Sequence, residues 1–245
     1  MVNQLLKLLK RTTTKRYLIL VPFAGGYSAS FRPLSQLIQS DWNILAIEPP
    51  GHGANREPLI ESIEELVDLY LEQLLPVLSN ADSFVLFGHS MGGLVVHNLT
   101  QRLEAAGLFP EQVIISGITP PDAKREPVVE RNDEDFLEYV VSLGGIPDEL
   151  LKYKELIELF LPVLRNDFRA VESYDTYKRT TLQTPVHVFS GEEDPRAYPE
   201  AVRGWSEWAE QATFYEFQGG HMFVLSEAQA VAEQLDQLLG VKAKG

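Results

Sequence analysis

The stretch Phe87-Gly88-His89-Ser90-Met91-Gly92-Gly93 constrains this chain more tightly than any other. The apolar run Phe84 to Phe87 has the content of a short buried strand, and helical periodicity follows from Met91 to about Ala106, where Gly107 ends it. Between strand and helix lies Gly-x-Ser-x-Gly, with Ser90 at its centre. A serine at a turn this sharp is forced into strained backbone geometry. Small residues at Gly88 and Gly92 let strand and helix approach while the hydroxyl points outward. The helix behind it opens with unpaired N–H groups and the positive end of its dipole, ready to face a developing anion.

The flanking sequence supplies the sheet that such a turn needs. Strands are predicted at 17–21, 43–48, 84–87, 112–116, 185–190 and 213–217, with helices at about 29–39, 62–78, 91–106 and 227–239. Ser62 and Glu65 offer a capping box for the second helix. This alternation implies an α/β fold, an open and mainly parallel sheet covered by helices on both faces. At 245 residues the chain is long enough for one large core, and it reads as a single domain over 1–245. The alternation is suspended once. From about 122 to 184 helical pieces are predicted near 133–142, 148–164 and 167–177, divided at Leu143 to Pro147 and at Leu161-Pro162, with no convincing strand. This insertion is placed over the C-terminal ends of the strands, as a mobile lid or as a fixed helical subdomain.

Composition excludes several classes. There is no cysteine, hence no disulfide, thiolate metal site or cysteine nucleophile. No apolar run approaches the roughly 20 residues that cross a bilayer, and the run after the basic N-terminal stretch is too short for a signal sequence. A cytoplasmic protein with no membrane association is expected. The net charge is −14, yet the first 16 residues carry five of the 21 basic side chains and no acidic one. The remainder is therefore strongly acidic and an unsuitable nucleic-acid partner. An acidic partner would need a local basic patch, for which Lys124, Arg125, Arg131, Lys152, Lys154, Arg165, Arg169, Lys178 and Arg179 of the insertion are candidates.

Binding sites in open α/β sheets lie beyond the carboxyl ends of the strands. Ser90, Asp194 and His221 all follow predicted strands, in the chain order Ser, Asp, His of the α/β-hydrolase triad. The serine needs a base within hydrogen-bond reach, and the imidazole needs a carboxylate to fix its tautomer. Glu192, Glu193 and Asp122 are alternatives to Asp194 as the acid. The glycine loop Phe23-Ala24-Gly25-Gly26, after the first core strand, sits where such hydrolases draw a second oxyanion N–H. Ala24 is the expected donor, with Phe23 its neighbouring alternative, and Met91 supplies the first. His52 precedes the nucleophile on an early loop and reads as a rim residue, while His97, two helical turns beyond Ser90, reads as packing. Neither a metal nor an organic cofactor is expected.

Pro22 to Ser28 (PFAGGYS), Glu48 to Gly53 (EPPGHG), Phe87 to Gly93 (FGHSMGG), Pro185 to Gly191 (PVHVFSG) and Gly219 to Phe223 (GGHMF) together resemble the external, or type II, thioesterases of nonribosomal peptide and polyketide synthetases. The nearest likeness is to the editing thioesterase that accompanies surfactin synthetase. The resemblance runs from about residue 17 to 239, and departs at PGHG, where many family members have an arginine after PG. It implies an α/β-hydrolase fold. The implied activity removes wrong or stalled acyl groups from the phosphopantetheine thiol of a carrier domain, which would make carrier domains of a synthetase the partners. A small-molecule carboxylesterase or lipase on the same triad is the alternative. A non-catalytic binding module would need a broken triad, and this sequence has none.

Overall fold

Strands buried on both faces must be apolar at nearly every position, and those at the middle of this sheet are. A computed structural model describes residues 5–146, 149–174 and 180–240. Among these residues the strands are β1 (Leu6–Lys10), β2 (Arg16–Val21), β3 (Asn43–Ile47), β4 (Ser83–His89), β5 (Gln112–Ser116), β6 (Val186–Gly191) and β7 (Ala212–Phe217). They form one sheet in the order β1-β3-β2-β4-β5-β6-β7, parallel throughout except where β1 pairs antiparallel with β3. This is the open, mainly parallel sheet the strand and helix pattern implies, in the α/β-hydrolase-like arrangement the resemblance implies. From β2 the chain crosses to β3 on one side and then to β4 on the other, so the order reverses between β2 and β4. A crevice opens at such a reversal, beyond the strand ends.

The helices are α1 (Arg32–Leu37), α2 (Ile63–Leu78), α3 (Met91–Ala105), α4 (Asp133–Ser142), α5 (Lys154–Ser173), α6 (Pro199–Val202), α7 (Phe223–Ser226) and α8 (Ala228–Leu238). Alternation along the strands assigns them to faces. Leu18, Leu20, Val85 and Phe87 pack with Phe31 and Leu34 near α1 and with Val231 and Leu235 of α8. Ile19, Val21 and Leu86 pack on the opposite face with Leu66, Val67 and Tyr70 of α2 and Leu94 and Val95 of α3. A separate small core joins Val128, Phe136, Val140, Ile157, Leu161 and Leu164, all between β5 and β6. Those residues pack chiefly on one another, which gives the helical insertion a cluster of its own.

Several expectations are corrected. β1 has no counterpart among the expected strands, because its two lysines look like part of a basic tail; they suit an edge strand. The helix expected from Ala29 to Gln39 is only α1, preceded by a 3₁₀ turn at Ser28–Phe31. Pro33 has no N–H to give to the Ala29 carbonyl, so a regular helix cannot begin earlier, and proline instead occupies the first turn. Beyond Leu37 the N–H groups of Gln39 and Ser40 turn to the Asp236 carboxylate of α8. The break expected at Leu161-Pro162 is absent and α5 continues through it. Proline costs that helix one backbone bond, and burial of Ile157, Leu161 and Leu164 on both sides of it outweighs the loss. The helix expected near 167–177 is therefore the end of α5, and its last residues, from 175, lie outside the described ones. Of the capping box expected at Ser62 and Glu65, the half in which the Ser62 side chain accepts the Glu65 N–H forms, while the Ser62 hydroxyl itself donates to Glu64.

Five of the nine basic residues named in the insertion have partners among the described residues, while Lys124 and Lys152 are exposed. Arg131, Lys154, Arg165 and Arg169 pair with Glu126, Glu158, Asp133 and Glu61, and the Arg125 guanidinium donates to the carbonyls of Thr119, Pro120, Pro121 and Ala123. Lys178 and Arg179 lie outside the described residues.

Candidate active site

Ser90 has φ 53 and ψ −120, and among the described residues it alone of the non-glycines has a positive φ. Such a conformation costs on the order of 1–3 kcal/mol and persists only where surrounding packing enforces it. The Ser90 N–H bonds the Ser116 carbonyl of β5 at 2.7 Å, and the Ser90 carbonyl accepts from the Gly93 N–H at 2.8 Å. A side chain at Gly88 would strike the Gly92 backbone, and one at Gly92 would strike the carbonyls of Val21 and Pro22. The strand and helix can close to this distance only with both glycines.

Two loops bring the remaining groups to Ser90. The turn after β7 carries His221, whose Nε2 lies 3.0 Å from Ser90 Oγ. The turn after β6 carries Asp194, whose Oδ2 lies 2.8 Å from His221 Nδ1. Asp194 Oδ1 accepts two further N–H groups, from Arg196 at 2.9 Å and Ala197 at 3.0 Å. Burial pushes this carboxyl up, but the hydrogen bond and charge of His221 and the two backbone donors outweigh it, leaving the pKa below the ordinary carboxylate value. Asp194 is thus an anion that can only accept, so Nδ1 carries the proton and Nε2 is free to receive one from Ser90. Two of the alternative acids hold other partners, Asp122 accepting from the Trp208 indole at 3.1 Å and Glu192 from the Gln218 amide at 2.7 Å, while Glu193 lines a cavity beside His221, whose Nδ1 is taken by Asp194.

Around Ser90 and His221 is a cavity of about 60 Å³, bounded by Ile118, Arg125, Leu143, Phe168 and Arg196. A second cavity of about 310 Å³ meets His221 from the side of Glu193, Met222 and Leu225. A third, apolar and about 300 Å³, lies between the Phe23-to-Tyr27 loop and Leu156, Phe160 and Leu164 of α5. Ala24 lines it. In that loop the Gly26 N–H bonds the Phe23 carbonyl at 2.8 Å and the Gly25 N–H bonds Asp167 Oδ2 at 2.7 Å. Among the described residues the Ala24 N–H is given to no protein acceptor. The Met91 N–H belongs to the first turn of α3, where no intrahelical acceptor exists.

The other histidines divide. His97 is buried between Trp205 and Trp208, with both ring nitrogens unpartnered, and burial lowers its pKa to about 3. It is packing, as expected. His89 lies under the site, its ring 5.4 Å from that of His221, and burial, then the His221 charge, lowers its pKa to about 3. Its Nδ1 is 2.8 Å from Ser116 Oγ. It is neutral, and so brings no second charge beneath His221. His52 is not a rim residue. It is 5% exposed, with Nε2 2.9 Å from Asp167 Oδ2 and Nδ1 2.8 Å from the Pro50 carbonyl. Sequence reasoning misses Asp167 and Glu48 altogether. The sequence signal for Asp167 is its register: it falls three residues after Leu164 and three before Ala170, a carboxylate on the buried stripe of α5.

Residues 16–239 match the family described as Thioesterase domain. The chain belongs to that family. Among curated proteins, this thioesterase-family chain is 32% identical over 225 residues to a probable cadicidin biosynthesis thioesterase of Streptomyces griseus, covering 91% of this chain and 62% of that protein. It therefore spans less than two thirds of that relative's length. It is also 30% identical over 222 residues to the probable anguibactin biosynthesis thioesterase AngT of Vibrio anguillarum, covering 88% of each. Among solved structures it is similar to YbtT, a type II thioesterase from the yersiniabactin NRPS/PKS biosynthetic pathway. The TM-score is 0.85 at 32% identity, over 95% of this chain and 97% of that one. Among the described residues no helix is long and apolar enough to cross a membrane.

Proposed function

We propose that this thioesterase-family chain is a serine hydrolase that cuts acyl groups, wrong or stalled, from the phosphopantetheine thiol of carrier domains in nonribosomal peptide or polyketide synthesis. Family membership and the biosynthetic relatives support the substrate class. One observation carries the chemistry: Ser90 Oγ, His221 and Asp194 are aligned at 3.0 and 2.8 Å beyond the strand ends.

In this reading His221 Nε2 takes the Ser90 proton as Oγ bonds to the thioester carbonyl carbon, and the carbonyl oxygen becomes an anion facing the Ala24 and Met91 N–H groups. The C–S bond then breaks, the pantetheine sulfur leaves with the proton returned by His221, and an acyl-Ser90 ester remains. Water attacks this ester with His221 again as base, and the free acid and Ser90 are released. Each oxyanion donor of this type is worth roughly 3–4 kcal/mol. The cycle as written draws on no metal or organic cofactor, since the pantetheine belongs to the carrier.

The segment 122–184 is read as a lid on a single domain. Leu143 and Phe168, both from this segment, bound the cavity at Ser90 and support that reading. The absence of a spanning helix among the described residues is compatible with the cytoplasmic setting where carrier proteins are loaded.

The test compares release of a short acyl group from a loaded carrier protein with release from the same acyl-pantetheine free in solution, wild type against Ser90→Ala. Faster release from the carrier, abolished in Ser90→Ala, is expected. Equal rates from both substrates would refute carrier recognition, and faster turnover of simple oxygen esters would favour the carboxylesterase.

A further inference from the structure

The His52–Asp167 pair is expensive for a molecule to keep. Its side chains are each 3% exposed, and a buried ion pair gives little net stability over apolar residues of the same volume. Nδ1 of His52 faces a carbonyl, which only accepts, and Nε2 faces a carboxyl oxygen of Asp167, an arrangement that suits a ring donating from both nitrogens to an ionised carboxylate. Burial alone would lower the His52 pKa. The hydrogen bond and charge of Asp167, the Pro50 carbonyl and the charge of Glu48 outweigh it, and the pKa is raised.

The oxygen that binds His52 has a second partner. Asp167 Oδ2 also accepts the Gly25 N–H at 2.7 Å, in the middle of the Phe23–Gly26 turn and one residue from Ala24. Gly25 itself has φ +75, a left-handed conformation that turns the adjoining peptide units in opposite senses. Fixing the Gly25 N–H therefore fixes the plane of the Ala24–Gly25 peptide and restricts where the Ala24 N–H points. The far end of the loop is held independently, by Glu48 accepting the N–H groups of Ser28 at 3.1 Å and Ala54 at 2.8 Å. On the α5 side, Asn166 Nδ2 bonds the Ile60 carbonyl at 2.8 Å and holds the helix beside the loop.

We propose that His52 and Asp167 are positioning residues, a buried pair spanning the β3–α2 loop and α5 that holds the Ala24 N–H where the oxyanion forms. The inference rests on the reading of Ala24 as an oxyanion donor and Ser90 as nucleophile. It also couples the insertion to catalysis: any movement of α5 that carries Asp167 away releases the donor loop.

Asp167→Asn tests it, because one amide oxygen cannot keep both bonds of Oδ2 without losing the ionic character of the pair. His52→Gln retains an N–H donor toward Asp167 and serves as the milder variant. Both are compared with wild type and Ser90→Ala for thermal midpoint, kcat and KM on an acyl-pantetheine thioester, and Ki for an alkyl trifluoromethyl ketone. That ketone is attacked by Ser90 Oγ to give a tetrahedral oxyanion. The expected result for Asp167→Asn is kcat lower by about 10- to 100-fold, below the full 10²–10³ of losing an oxyanion donor, with KM within about threefold. Ki for the ketone should rise by the same factor as kcat falls, and His52→Gln should lie between wild type and Asp167→Asn on both measures. Should Asp167→Asn fail to fold, His52→Gln is judged alone by the same paired change. Near-normal kcat in a folded Asp167→Asn, or a fall in kcat without a matching rise in Ki, overturns the proposal. Full activity in Ser90→Ala would instead remove the catalytic reading beneath it.

Discussion

Replacing Asp194 by Asn changes one atom and one charge, and the neighbouring backbone decides which way the new amide turns. The Arg196 and Ala197 N–H groups point at Oδ1, at 2.9 and 3.0 Å, and require an acceptor there. The amide oxygen must therefore take that place, and the NH₂ must face His221 Nδ1, where Oδ2 stood at 2.8 Å. A donor facing Nδ1 forces the imidazole proton onto Nε2, the nitrogen that receives the Ser90 proton in the proposed mechanism. The same tautomer error in a serine-protease triad lowers kcat by about 10⁴, which at 1.36 kcal/mol per decade is roughly 5.4 kcal/mol of barrier. Thiol release followed colorimetrically at pH 7.5 should show that loss with KM nearly unchanged, because Asp194 touches no substrate. Asp122→Asn, at the Trp208 indole, should stay within about threefold of wild type. Turnover of Asp194→Asn within tenfold of wild type would refute the link from backbone donors to tautomer.

Two further outcomes concern stability. His89 and His97 each have a pKa lowered to about 3 in the folded state, so the unfolded chain binds more protons between there and 6.5, and stability falls as pH drops through that window. Each contributes a slope of up to about 1.4 kcal/mol per pH unit. His97→Leu should flatten the urea-unfolding profile measured from pH 7 to 4, and an unchanged slope would contradict the neutral buried state. Gly92→Ala puts a methyl group against the Val21 and Pro22 carbonyls and should destabilise by about 1–3 kcal/mol while slowing fluorophosphonate labelling of Ser90. A melting midpoint and labelling rate equal to wild type would show that the elbow tolerates a side chain.

Much of the fold was legible because a doubly covered parallel strand must be apolar throughout, and Leu18 to Val21, Val85 to Phe87 and Val113 to Ile115 have no other use. The same rule hid β1, whose Lys7 and Lys10 are tolerated only because it lies at the sheet edge. Pro162 misled in the opposite sense, since local chemistry argues for a break and the insertion's own core argues against it. Ser90, Asp194 and His221 could be found because each stands just past a strand whose end is marked by glycine. His52 and Asp167 lie 115 residues apart and meet only when the insertion packs on the β3–α2 loop. No local spacing foretells that contact, and the one available sign was a carboxylate on an apolar helical stripe.

The proposed catalysis depends first on Ser90 being a nucleophile, and active-site labelling measures that directly. Incubation with a fluorophosphonate, followed by intact mass and peptide mapping, should give one adduct per chain on the peptide containing Ser90, with none in Ser90→Ala. A wild-type protein that takes up no label, or a Ser90→Ala variant labelled equally, would contradict it.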